Sequence, residues 1–420
     1  MTAGDSVMQQ DPEPPGGTRL VEVPVSLLEN GMYIAALDRP WMVPPHLLKR
    51  GRSDLRRLRS YCRSVYVDPQ RSQPQVQAIL SALQTPPDLS EIAPMPAEER
   101  RSPAVTSSDP REMHHAEQLY TKTQRTLQRL MRDEHDWYRR LPTLQREIGR
   151  LIASLEVVPD TLVWLTRLKH RGAYRMEHGL NVAILAIAFG QHLGHERSRL
   201  EALGLAGLLH DVGKMRLDQA ILDKPGPLTE EEFAHVQSHV LRGYAMLEHD
   251  PHLPTAVKIA CRDYHERLDG SGYPRGKPAR GIGEAARILA IVDTYDAITS
   301  DRVYSPARPA TEALGILHQG RRHLFDGRLV DRFIDWIGLY PLGTLVELNN
   351  GMVGIVVAQV PDQPLRPQVL VKLDERKAAI PGKRVDLAEP ALGGFRLSVD
   401  KALPPGAYGV QLDTLPMPDG

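Results

Sequence analysis

LLHDVGKM at residues 208–215, HERLDGSGYPRG at 265–276 and ARILAIVDTYDAITS at 286–300 decide the fold of this chain. Each sets a histidine or an aspartate in or beside an apolar run with helical spacing. His210 and Asp211 stand together before a Gly-Lys pair, His265 precedes a glycine-rich turn, and Asp293 interrupts a run of Ile, Leu, Ala and Val.

Working outward, EHGLNVAILA (177–186) adds His178 and QSHVLRG (237–243) adds His239. Ten of the sixteen histidines fall between His170 and His265. The candidates His178, His210, His239, His265 and Asp293 follow one another at intervals of 26 to 32 residues. That interval is one helix plus a return loop. It fits a bundle whose helices each bring one polar side chain to a common centre. Neutral imidazole together with carboxylate suits Fe, Mn, Zn or Ni. A carboxylate such as Asp211 can bridge two ions ~3.5–4 Å apart, an arrangement that suits phosphoryl displacement. Lys214 would lie one turn beyond His210 in a continued helix. There it could neutralise a phosphate oxygen or protonate a leaving oxygen. His170, His192, His195, His235, His249 and His252 read as surface or loop residues. GSGYP alone reads as a turn, and Trp164 reads as core.

The rest of the chain frames this bundle. At ~150 residues per domain, 420 residues suggest two or three domains. Residues 1–17 are polar and read as a disordered tail. Residues 18–70 read as a small domain, with strands expected in LVEVPVSL and SVYVD. Residues 71–112 are rich in Pro, Ser, Gln and Ala and read as a linker. Helical patterning occupies 113–340. Residues 341–416 read as a small β module, a partly open barrel or meander with a turn at Asn350-Gly351. The fold class is therefore mainly α, with a small α+β N-terminal domain and a small β C-terminal module.

Composition excludes several function classes. Lys+Arg and Asp+Glu are both 52, so no global charge favours DNA or an anionic membrane. The basic run Lys49, Arg50, Arg52, Arg56, Arg57 and Arg59 reads as a solvated helix face or as a site for an anionic partner. Two distant cysteines, Cys62 and Cys261, form neither a disulfide framework nor a Cys-based zinc site. They read as buried free thiols of a reducing compartment. The acidic N-terminus is not a signal peptide. The longest apolar stretch, 180–189, is far short of the ~20 residues of a membrane span. A cytoplasmic protein is expected.

LLHDVGKM, ILDKPGPLTEEE (221–232), HERLDGSGYPRG and ARILAIVDTYDAITSDRVY (286–304) together resemble the HD-GYP family of the HD phosphohydrolase superfamily, over roughly residues 165–335. VEVPVSLLENGMYIAALDRPWM (21–42) resembles a domain of unknown function that precedes HD-GYP modules in bacterial proteins. The chain from Tyr340 onward resembles the β tail of such proteins. The resemblance implies an HD-type helical bundle. It implies hydrolysis of cyclic di-GMP to the linear dinucleotide and/or GMP, with two divalent ions, Fe or Mn. It places His178, His210, Asp211, His239, His265 and Asp293 at metal-ligand positions. It makes Asp211 and Lys214 catalytic, with Lys214 on phosphate. Gly272, Tyr273 and Pro274 form the signature, and Arg302 holds the dinucleotide.

Three positions depart from the family pattern. Tyr264 stands where the family has the first histidine of an HHE triplet, Tyr174 where a subset has a glutamate for a third metal, and Ser305 where some members have a basic residue. Two ions at most are expected, the second weakly held. Two other functions compete: a degenerate module that binds cyclic di-GMP or a protein partner without turnover, and a phosphohydrolase for another nucleotide. For the N-terminal domain the residues leave three roles open: sensing a signal, docking a protein partner and pairing two copies as a homodimer.

Overall fold

The computed structural model describes residues 110–132, 137–167, 174–224, 226, 228–300, 307–321, 323–360, 363–389 and 396–410, with three N-terminal strands and residues 70 and 72. The strands β1 (Val21–Pro24), β2 (Tyr33–Leu37) and β3 (Ser64–Asp68) form an antiparallel sheet in the order β1-β3-β2. Val21 faces Val67 and Val23 faces Val65. β1 and β3 fall where alternation predicts strands. β2, in YIAAL, is missed because its apolar residues follow one another without alternation. The acidic tail, the basic run at 49–59 and most of the expected linker lie outside the described residues. The chain divides into two compact units, residues 1–91 with 226–231, and 92–225 with 232–420.

The second unit carries the helices. They are α1 (Pro110–Arg132), α2 (Trp137–Val157), α3 (Pro159–Leu165), α4 (Tyr174–His192), α5 (Arg197–Leu209), α6 (Gln219–Leu222), α7 (Glu230–Gln237), α8 (His239–Leu247), α9 (Thr255–Asp263), α10 (Glu284–Thr299), α11 (Ala310–Gly320) and α12 (Gly327–Ile337). Residues 177–190 of α4 are buried on every side. A helix that is apolar all round must be enclosed, and α1, α2, α3, α5, α10 and α12 pack around it. The long apolar stretch is thus the axis of a bundle. Among the described residues, no helix is long and apolar enough to cross a membrane.

The second unit ends in an antiparallel sheet of β4 (Leu345–Leu348), β5 (Val353–Ala358), β6 (Gln368–Leu373), β7 (Ala379–Asp386) and β8 (Val399–Leu403), in the order β7-β6-β5-β4-β8. It is a meander with β8 added beside β4. One face buries Leu345, Val353, Ile355, Leu373 and Leu403 against Trp164 of α3. The other face buries Val346, Leu348, Val356, Val369, Val371 and Leu387. Burial on both faces explains why β5 reads as a continuous apolar run. The body is mainly α with a small β module, as the sequence predicts.

Candidate metal centre and its signature loop

Five helices bring the predicted residues to one place. His178 lies in the second turn of α4, His210 caps the C-terminus of α5, His239 begins α8, Tyr264 and His265 follow α9, and Asp293 lies within α10. His178, His210 and Asp293 each offer a ligand atom within 4.8 Å of the others. His178 Nε2 is 2.9 Å from Asp293 Oδ1 and 3.8 Å from Asp211 Oδ2. His210 Nε2 is 3.4 Å from Asp211 Oδ2 and 3.9 Å from Asp293 Oδ1. His239 Nε2 is 3.4 Å from Asp211 Oδ1. Asp211 therefore faces His178 and His210 with one oxygen and His239 with the other.

Lys214 reaches the centre differently from the helical expectation. α5 stops at Leu209, and Val212–Arg216 form a 3-10 turn. The turn carries Lys214 Nζ to 2.5 Å from Asp211 Oδ2. Gly213 within it is in close contact with α8: a Cβ there would stand 1.9 Å from the His239 carbonyl oxygen. That approach, open only to glycine, sets His239 beside Asp211.

Each imidazole is held by its far nitrogen. His178 Nδ1 is 2.8 Å from Asp296 Oδ2, His210 Nδ1 is 2.8 Å from the Gly207 carbonyl, and His239 Nδ1 is 2.6 Å from the Val236 carbonyl. A carbonyl only accepts, so His210 and His239 donate at Nδ1 and turn their Nε2 lone pairs into the site. His210 Nε2 is buried without a hydrogen-bond partner. It faces carboxylate oxygens across a gap that two acceptors do not close by themselves. A cation does, so the donor set fits a divalent metal of the Fe, Mn, Zn class.

The electrostatics agree. Burial opposes the charged form of Asp211, but Lys214, His210 and His239 more than offset it and hold its carboxyl well below the usual range. Burial likewise opposes ionised Asp293, and His178, His210 and His265 override it. Burial pulls His178 down, yet Asp293 and Asp296 lift it to about 9. Without a metal, a proton on His178 serves as the positive charge between the two carboxylates. The centre opens where Lys214 and Asp211 retain 30% and 16% side-chain exposure.

Tyr264 and His265 pack beside His239. Tyr264 is 1% exposed. Its hydroxyl lies 2.7 Å from His239 Nε2 and donates to Asp211 Oδ1 at 3.0 Å. His265 does not join the convergent trio. Its ring lies 4.0 Å from the Tyr264 ring and stacks on Tyr273 at 4.5 Å. Burial holds His265 in its neutral form. The Gly272-Tyr273-Pro274 loop is anchored by a residue that motif reading left unassigned. Buried Glu266 accepts from the Arg275 and Lys277 backbone amides at 2.8 and 2.9 Å. Asp269 shapes the same loop by accepting from the Ser271 amide and hydroxyl. Arg302 and Ser305 lie outside the described residues, as does the Tyr174 side chain.

Sequence reasoning also passed over Asp296 and Asn181. Their signal was available: each stands three residues beyond a candidate, and helical neighbours three apart share a face. Tyr120, which donates to Asn181 at 2.8 Å, offered no local signal.

Three family models match the chain. An HD domain covers residues 155–329, a domain of unknown function covers 20–134, and a KOW domain associated with HD domain covers 345–391. A cyclic di-GMP phosphodiesterase of Pseudomonas aeruginosa is 34% identical over 379 residues, covering 88% of this chain and 89% of the relative. The cyclic di-GMP phosphodiesterase response regulator RpfG of Xanthomonas campestris is 36% identical over 195 residues, 44% of this chain and 50% of the relative. A 3'3'-cGAMP-specific phosphodiesterase of Vibrio cholerae is 29% identical over 226 residues, 51% of each chain. The Pseudomonas alignment takes in nearly the whole of both chains. On that correspondence this chain belongs to the HD-GYP family of HD-domain proteins.

Proposed function

We propose that this chain is a metal-dependent phosphodiesterase that hydrolyses cyclic di-GMP to the linear dinucleotide and/or GMP. The observation that carries the reading is the convergence of His178, His210, His239, Asp211 and Asp293 with Lys214 at their open edge. His178, His210, Asp211 and Asp293 would hold one divalent ion. His239, His265 and the second oxygen of Asp211 would hold a second, weaker one. Fe or Mn fits the mixed imidazole and carboxylate donors. Such a centre, when loaded, lowers the pKa of water and neutralises phosphate charge.

The chain's own residues supply the rest. Asp211 holds the Lys214 ammonium at the mouth of the site, where it meets a phosphate oxygen and can deliver a proton to the leaving 3′ oxygen as the P–O bond breaks. Asp296 keeps the His178 proton on Nδ1, which leaves Nε2 directed into the site. Glu266 fixes the loop that carries Gly272, Tyr273 and Pro274, where the dinucleotide would rest. Arg302 is the further candidate for binding it. The N-terminal domain would dock a protein partner or pair two copies.

The test is turnover of cyclic di-GMP by protein loaded anaerobically with Fe(II) or Mn(II), with Asp211→Ala as the blank and 3'3'-cGAMP as a second substrate. Turnover at an ordinary enzyme rate, on the order of 0.1–10 s⁻¹, that vanishes in the variant supports the reading. Faster hydrolysis of 3'3'-cGAMP would redirect the substrate assignment. Intact cyclic di-GMP with fully loaded protein would refute it.

A further inference from the structure

α1 falls inside the match to the domain of unknown function, yet it packs on the bundle and reaches the shell behind the metal centre. The path is a chain of side-chain hydrogen bonds. Tyr120 donates its hydroxyl proton to Asn181 Oδ1 at 2.8 Å. Asn181 Nδ2 donates to Asp296 Oδ1 and to the Thr166 carbonyl, both at 3.4 Å. Asp296 Oδ2 meets His178 Nδ1 at 2.8 Å. Exposure along the chain is 9%, 2%, 1% and 3%. One turn on, Gln124 of α1 donates to Glu177, the neighbour of His178, at 3.2 Å.

We propose that Tyr120 is a positioning residue for the proposed metal centre, acting on His178 through Asn181 and Asp296. The proposal rests on the reading of that centre given above. The logic is the polarity of an amide. If Asn181 turned over, its carbonyl would face the Asp296 carboxylate and the Thr166 carbonyl, both acceptors. Those two acceptors orient the amide, and the Tyr120 hydroxyl satisfies its Oδ1 and fixes its place. Asp296 is then steered to the far nitrogen of His178, which settles both ring orientation and tautomer. Burial pushes the Tyr120 phenol above its usual range, so the proton stays in place. A shift of α1 would therefore be felt at His178. This gives α1 a route to the centre that needs no contact with substrate.

The test uses the full chain. Tyr120→Phe removes one hydroxyl and keeps the ring. Groups one bond from a metal ligand alter affinity ~10–100-fold, and Tyr120 stands two bonds further out, so the Kd for Mn(II) should rise about 3- to 10-fold. The kcat should fall by a similar factor with KM within about twofold. Tyr120→Phe should add nothing to Asn181→Ala, because the two act in series. Leu119→Val trims the same buried face and should lower the melting temperature without moving the Mn(II) Kd. An unchanged Kd and kcat in Tyr120→Phe would overturn the proposal, as would an equal Kd shift in Leu119→Val. Asp211→Ala separates the two ideas: if it binds Mn(II) as tightly as wild type, the reading of the centre itself has failed.

Discussion

The Tyr264 hydroxyl lies 2.7 Å from His239 Nε2, so the second side of the metal centre is closed by a phenol. Burial, then Asp211, pushes the phenol well above its ordinary range, and it remains protonated. His239 already donates from Nδ1 to Val236, so its Nε2 can only accept. Tyr264 has one proton for two acceptors, His239 Nε2 and Asp211 Oδ1. It occupies the lone pairs that a second cation would use.

Tyr264→His should therefore strengthen the second ion, by roughly tenfold or more. Mn(II) titration of metal-free protein should show a second equivalent bound in the variant at concentrations where wild type binds one. Identical stoichiometry and affinity would show that the phenol does not compete.

Gly272→Ala should disable the signature loop while leaving the bundle folded. A Cβ at Gly272 would stand 2.3 Å from the Arg267 nitrogen, 2.4 Å from the His265 oxygen and 2.5 Å from the Glu266 Cα. The backbone of residues 265–267 blocks it, so the loop must move. We expect a cost of about 1–3 kcal/mol and at least a tenfold rise in KM for cyclic di-GMP, with unchanged far-ultraviolet circular dichroism. A variant with wild-type KM would show that the loop does not touch the dinucleotide.

Asp263 predicts an acid-linked loss of stability. Its fully buried carboxylate meets Arg262 at 2.8 Å, Lys277 at 2.5 Å and Arg275 at 3.2 Å. Burial opposes its charge, but Arg262 and Lys277 win and hold its pKa below the ordinary value. The folded pKa lies below the unfolded one, so the stabilisation is complete above about pH 4. It is lost as pH falls through the folded value. The gap in urea midpoint between wild type and Asp263→Asn should be constant from pH 7 to 5 and shrink below 4, measured with chelator present. A gap that persists to pH 2.5 would contradict this.

Trp164→Ala should loosen the β module more than the metal centre. The indole fills the face made by Leu345, Val353, Ile355, Leu373 and Leu403. Its removal should cost about 3–5 kcal/mol. Hydrogen exchange should quicken first in β4, β5 and β6, with Mn(II) affinity retained. Equal loss of protection in α4 and α10 would mean that module and bundle unfold as one.

Much of this protein is legible in its residues. Helical patterning over 113–340 announced the bundle, and Asn350-Gly351 announced the turn between β4 and β5. Regular spacing of His178, His210, His239 and Asp293 announced elements that converge, whereas His265, at the same spacing, stacks on Tyr273. β7 was hidden because AIPGKRVD mixes Pro, Gly and charge, and its pairing with β6 overrides that composition. Lys214 lies one turn beyond His210 only in a continued helix, and α5 ends at Leu209 instead. The close packing of Gly213 on α8 goes with that ending.

The sequence by itself determined which side chains could do chemistry and on what kind of element each sits. Periodicity and residue type are local properties, readable within a few turns. Only the tertiary structure decided which lone pairs meet. His178 and Asp296 are 118 residues apart, Tyr264 and Asp211 are 53 apart, and Tyr120 and Asn181 are 61 apart. Each pair meets because bundle packing sets the distance between separate elements. Whether a histidine faces a metal, a phenol or another ring depends on differences of an ångström or two. Those differences arise from the packing of the whole bundle and leave no trace in any one segment.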